Sequence, residues 1–235
     1  MAELAILHLY PNTLKLNGEV GNLIALKVRA ANFGLKVRIL NVELSEPLPT
    51  KRPHIVFLGS GTLGATKVAA EDLASKGDLL HRWVTDGTKV LAVGSGFDLI
   101  SQGLQLTDGD FIQGLGLTNT THSITPNYLV GEVELTKGIA GFINSNRAIS
   151  RGHAGFEIAT VQASDEKALI GYLDGYSDGK VMASNVQGPL LPMNPQLADL
   201  LISWVFPKLE KSSSLRTLDS LASKARKAIS IRVRS

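Results

Sequence analysis

An α/β fold built on a parallel sheet is predicted by three features of the sequence. Short apolar runs alternate with helical segments up to about Gly103, two of those runs end in Gly-rich turns, and after Gly103 short strands separated by glycines replace the alternation. The later strands predict mixed or antiparallel sheet added to the parallel core, the whole flanked by helices.

The elements follow in order. Leu4 to Tyr10 is an apolar run closed by Pro11-Asn12, and so a buried strand. Asn22 to Phe33 places Leu23, Leu26, Val28 and Ala31 near one helical face, and Gly34 stops it. Val37–Val42 and His54–Leu58 are the next strands, the latter running into Gly59-Ser60-Gly61. Val68 to Trp83 is a helix with Asp72, Lys76 and Arg82 on its wet side. Lys89–Val93 is the fourth strand and enters Gly94-Ser95-Gly96, after which Phe97 to Ser101 opens a helix. Strands are then expected at Leu129–Leu135, Ala140–Ile143, Glu157–Gln162, Ala168–Leu173 and Val181–Asn185. Pro195 to Phe206 is a helix with Pro in its first turn and Pro207 as its stop. Lys211 to Ser214 is a linker, and Leu215 to Ile229 a basic amphipathic helix. The predicted division is a domain over 1–210 and a basic tail over 211–235.

Composition excludes several classes of function. The chain has 235 residues, enough for a sizeable core without disulfides or a structural metal. It has no Cys, which removes disulfides, thiolate metal sites and cysteine nucleophiles together. The net charge of +3 is unevenly spread: residues 211–235 carry seven bases and one acid, so the tail is +6 and the body −3. Whole-surface nucleic-acid binding does not fit that distribution. No apolar run reaches the roughly 18 residues of a membrane span, and the start lacks a basic signal-peptide region. A cytoplasmic protein without cofactor or metal is expected.

In an open α/β sheet ligands bind beyond the carboxyl ends of strands, where freed backbone N–H groups can hold an anion or oxyanion. Gly61 and Ser95 supply such groups. The plainer reading of these glycines is tight strand-to-helix turns. Gly59-Ser-Gly-Thr-Leu-Gly has the G-x-G-x-x-G form but follows the third strand, so it is no dinucleotide fingerprint. Ser95 sits where a nucleophile elbow would place a serine, yet Val93 and Phe97 are too large for the positions two before and two after it. His8 and His54 belong to buried strands, while His122 and His153 lie in loops and are the candidates for a replacement base.

Several segments carry a family resemblance. Leu7-His-Leu-Tyr-Pro-Asn12, Asn17-Gly-Glu-Val-Gly-Asn22, Gly114-Leu-Gly-Leu117, Leu129-Val-Gly-Glu132 and Gly188-Pro-Leu-Leu-Pro-Met-Asn-Pro-Gln-Leu-Ala-Asp199 match, in order and approximate spacing, the GatD-type, CobB/CobQ-like class I glutamine amidotransferases. The resemblance covers about residues 4–206. It implies a flavodoxin-like amidotransferase fold. It also implies a glutaminase that feeds ammonia to a Mur-ligase-like partner, MurT, for amidation of the D-glutamate of lipid II.

The departures fall on the chemistry. Gly94 stands at the family's nucleophilic cysteine and Gln187 at its histidine. Ser145 replaces the histidine of a G-[FY]-E-N-H motif, Thr66 a glutamine that ends the Gly-rich loop, and Tyr128 a substrate-binding arginine. Glycine has nothing to attack with, and a glutamine amide takes up no proton near neutrality. The resemblance with these departures implies a non-catalytic subunit that still meets a Mur-ligase-like partner. Two other readings are an active hydrolase using Ser95 or His153, and a binding module led by the tail. Its Leu215/Leu218/Leu221/Ala222/Ala225/Ile229 stripe, flanked by Lys224, Arg226 and Lys227, suits packing on the body or a partner, or else an anionic membrane surface. Nucleic acid fits less well, for want of interleaved aromatics.

Overall fold

The computed structural model describes residues 2–151, 159–209 and 214–235. The parallel half runs β1 (Glu3–Leu9), α1 (Val20–Asn32), β2 (Lys36–Val42), β3 (Ile55–Leu58), α2 (Leu63–Thr85), β4 (Lys89–Val93) and α3 (Ser95–Ile100). Then come β5 (Gly103–Gln105), β6 (Phe111–Gln113), β7 (Thr120–Leu135), β8 (Ile139–Arg151), β9 (Ala159–Ser164), β10 (Leu173–Asp174), β11 (Tyr176–Ser177), β12 (Val181–Ser184) and β13 (Val186–Gln187). Three helices close the chain: α4 (Leu190–Met193), α5 (Pro195–Ser203) and α6 (Leu215–Arg234).

The first sheet has the order β11-β12-β4-β3-β1-β2, parallel throughout except for β11. Strands β1, β3 and β4 are apolar without alternation because both of their faces are covered. Leu4, Ile6, Phe57 and Leu91 pack on one face, and Leu7, Leu9, Leu58 and Ala92 on the other with Leu73, Trp83 and Phe97. Strand β2 is the edge, and its Lys36 and Asn41 are exposed.

The second half departs from the expectation of strands simply added to the core. Only β11 and β12 join the first sheet; the others form a second, seven-stranded sheet in which the long β7 pairs with β8, β9 and β5. The strand expected at Ala168–Leu173 is a 3-10 turn at Lys167–Leu169 followed by the two-residue β10, because Gly171 turns the chain at φ 84. The start of the strand expected at Glu157–Gln162 lies outside the described residues. Helix α2 starts five residues earlier than expected, at Leu63, where the Thr62 hydroxyl accepts the Ala65 N–H at 3.2 Å.

The recurring motifs meet in space as scaffold. A Cβ on Gly21 would lie 2.4 Å from Pro189, so α1 can seat on the Gly188-Pro189 turn only with glycine there. Asn22 accepts the Leu191 N–H at 2.8 Å. Asn194 accepts from the Ala140 N–H at 3.0 Å and donates to the Ala140 carbonyl at 2.8 Å, tying α4 to β8.

Helix α6 lies against the body. Leu215, Ala222 and Ile229 are buried, Arg226 donates to the Met193 carbonyl at 2.6 Å, and Arg232 and Arg234 pair with Glu132 and Glu134 of β7. Neither of the two main apolar clusters contains an α6 residue. Deleting residues 211–235 is therefore expected to leave a body that still unfolds in one cooperative transition, at a lower midpoint. A molten, non-cooperative body in a urea titration monitored by near-UV dichroism would show that the tail belongs to the core.

Candidate functional site

A cleft of about 270 Å³ lies beyond the carboxyl ends of β3, β4 and β12, where a doubly wound sheet presents its ligand crevice. Its lining includes Gly61, Gly94, Ser95, Tyr128, Ser145 and Gln187. The positions that the resemblance singled out thus converge, with the exception of Thr66. Thr66 is fully buried and donates its hydroxyl to the Thr62 carbonyl at 2.9 Å, inside the first turn of α2. Tyr128 stands on the rim, 60% exposed, beside the register shift of β7 between Ile124 and Leu129.

The turn between β4 and α3 is an elbow centred on Gly94, one residue before Ser95. Gly94 has φ 59 and ψ −125, a conformation that side chains rarely adopt. The residues two before and two after it are Ala92 and Gly96, small as an elbow needs. A Cβ on Gly96 would lie 2.6 Å from the Leu58 carbonyl oxygen. The shape of an elbow is kept while its apex bears no side chain.

The space above that apex is filled by Ser60, which local sequence reading did not single out. A Cβ on Gly94 would meet the Ser60 Oγ at 2.4 Å, the Ser60 Cβ at 2.8 Å and the Gln187 Nε2 at 2.8 Å. The hydroxyl can rotate away, but the Ser60 Cβ cannot. The backbone donors are engaged as well. The Gly61 N–H donates to the Ser95 Oγ at 2.7 Å, and the Ser95 N–H points to the Ser60 Oγ at 3.5 Å. Ser95 itself has no imidazole partner among the described residues, and His153 lies outside them.

Gln187 is buried and belongs to a ladder of carboxamides: Asn17 donates to its Oε1, and Asn144 donates to Asn17 at 3.3 Å. On the far side Asp98 accepts from Arg147 Nε at 2.8 Å and meets His122 Nδ1 at 2.7 Å. The other His122 nitrogen is 3.3 Å from the Thr120 hydroxyl, so carboxylate, imidazole and hydroxyl form a chain that looks like a triad. His122 and Thr120 are buried and do not line the cleft, so of these three groups the carboxylate of Asp98 alone reaches it. The remaining histidines are bound structurally. His54 Nδ1 accepts the Ala5 N–H at 2.9 Å, His81 Nε2 lies 2.6 Å from the Leu115 carbonyl, and burial pushes His8 down to about 4. Among the described residues no group of three or more His, Asp or Glu gathers to hold a metal.

Two curated relatives match most of the chain. It is 26% identical over 211 residues to the lipid II isoglutaminyl synthase (glutamine-hydrolyzing) subunit GatD of Staphylococcus aureus, covering 86% of this chain and 84% of the relative. It is 28% identical over 221 residues to the subunit of the same name from Streptococcus pneumoniae, covering 88% and 82%. Among solved structures a glutamine amidotransferase superposes with TM-score 0.55 at 12% identity over 85% of this chain and 98% of its own. The chain resembles the GatD-type class I glutamine amidotransferases. The acivicin-bound glutaminase domain of Trypanosoma brucei CTPS superposes on this GatD-like chain with TM-score 0.52, at 10% identity over 89% of this chain and 97% of its own. No family model matches the chain.

Gly94→Cys is expected to cost about 1–3 kcal/mol, as overpacking does, and adding Ser60→Gly should recover part of that. Equal urea midpoints for the single and double variants would remove Ser60 from this account.

Proposed function

We propose that this chain is a non-catalytic GatD-like subunit that binds a Mur-ligase-like, MurT-type protein in the amidation of lipid II D-glutamate, working in the cytoplasm. The observation that carries the reading is the apex of the elbow: Gly94 offers no nucleophile, and Ser60 and Gln187 fill the space above it. Amide hydrolysis by this route needs a thiolate to attack and an imidazole to move its proton. What supports a retained binding role is the motif set, which still holds α1, α4 and α5 together although the cleft has lost its reactive groups. Among the described residues no helix is long and apolar enough to cross a membrane.

The test is ammonia release from glutamine by the purified protein, alone and with a Mur-ligase-like partner from the same cell. No turnover is expected in either case. A rate above about 1 s⁻¹, the low end for ordinary enzymes, would end the non-catalytic reading. The same should hold for Gly94→Cys with Gln187→His, because Tyr128 and Thr66 stay altered and the Ser60 Cβ stays in the way. Full activity in that double variant would show that the pocket has not decayed.

A further inference from the structure

A second cleft, of about 320 Å³, opens between α1, the start of α5 and α6, away from the elbow. Its lining includes small residues, among them Gly21, Ala25 and Ala222. Its walls are large apolar side chains that face water: Ile24 is 57% exposed, Val28 38%, Leu218 40% and Leu221 57%. Leu215, Ala222 and Ile229 turn toward the body, whereas Leu218 and Leu221 do not. Contiguous exposed apolar surface of this kind marks an interaction site.

The charges around the groove say what it takes. Among the described residues the acids on these helices and just before α1 are engaged: Glu19 is buried, Asp199 and Asp219 hold Arg29, and Glu132 and Glu134 of β7 pair with Arg232 and Arg234 at the far end of α6. Lys27, beside Ile24 and Val28 on α1, and Lys224, one turn from Leu221 on α6, flank the groove, are exposed and have no ion-pair partner among the described residues. The surroundings are therefore cationic around an apolar trough. A second copy would bring like charges together, and a flat bilayer does not enter a concave groove. We infer that the α1/α6 groove seats an amphipathic helix of a partner protein whose apolar stripe is flanked by carboxylates. This inference does not depend on the reading of the elbow site.

The full chain would be titrated, by fluorescence anisotropy, with two labelled helical peptides that share one Leu stripe. One is flanked by Glu, the other by Lys. Phosphatidylglycerol vesicles form a third arm and sedimentation of the free protein a fourth. The Glu peptide is expected to bind about tenfold more tightly than the Lys peptide, and to weaken as salt rises through physiological strength. Ile24→Glu and Leu221→Glu should each weaken it by about tenfold or more. Both sites are over half exposed, so the fold is not at risk. Lys27→Glu with Lys224→Glu should narrow or invert the preference between peptides. Equal binding of the two peptides, indifference to the substitutions, vesicle binding without Glu-peptide binding, or self-association through this face would each overturn the inference.

Discussion

Arg29→Met should destabilise the protein by about 3 kcal/mol, near the lower end of what removing one partner from a buried ion pair costs. The Arg29 side chain is 4% exposed. Its Nε and Nη2 donate to the two oxygens of Asp199 at 2.6 Å each, and its Nη1 donates to Asp219 at 2.8 Å. One guanidinium thus joins α1 to α5 and to α6. Methionine fills the volume but leaves two carboxylates facing the space that the guanidinium held. Those carboxylates are 22% and 26% exposed, so water recovers part of the loss. Arg29→Lys should fall between, since an ammonium cannot serve both acids with the same fork. Guanidinium chloride unfolding reads the stability, and limited proteolysis of residues 215–234 reads the release of α6. A change below about 1 kcal/mol, typical of surface pairs, would show that this cluster is not a structural joint.

The parallel half was legible because burial on both faces writes strands as unbroken apolar runs, and because glycine marks their ends. Lys89–Val93 is read to the residue, and β1 and β3 within a residue or so. The second sheet was less so. Strands β5 and β6 have three residues each, too few for a period to show. The first part of β7, from Thr120 to Tyr128, is largely polar and only partly buried, so nothing in its pattern calls for a strand. The 3-10 turn at Lys167–Leu169 buries Leu169 and mimics part of an apolar run.

The site divides in the same way. Gly94 and Gln187 stand out because flanking motifs place them, and they do meet across the cleft. Ser60 was hidden between two glycines in a loop whose obvious reading is a turn. Its consequence depends on how closely the ends of β3 and β4 approach, which no local pattern states. The Asp98–His122–Arg147 cluster was hidden for the same reason, being assembled from α3, β7 and β8. The tail's apolar stripe was legible, but its division into a body-facing edge and a groove-facing edge follows only from where α6 docks.

Glu19→Gln should flatten the loss of stability on the alkaline side of neutrality, by about 2 kcal/mol between pH 6.5 and pH 8. Glu19 is fully buried at the start of α1. Burial pushes its carboxyl up to about 8, against smaller downward pulls from the Gly188 N–H and from Asn22, whose Nδ2 donates to it at 2.6 Å. In the unfolded chain the same group ionises near 4.5. Between those values the folded protein holds a proton that the unfolded chain releases, so rising pH favours unfolding until the folded carboxyl itself ionises near 8. The glutamine side chain of the variant mimics the protonated acid and has no proton to lose. His8 acts on the other side. Its folded value of about 4 lies below its ordinary 6.5, so its contribution falls as pH drops through that window. Asp174, also raised by burial, contributes a slope of the same sign that both proteins share. The measurement is therefore the difference between wild type and Glu19→Gln in urea unfolding free energy at half-unit steps of pH. The gap should widen in favour of the variant from pH 6.5 to pH 8 and then level off. Parallel curves across that range would mean that Glu19 is already ionised in the folded protein. The carboxyl under the Gly188 turn would then be a charged anchor and not a neutral one.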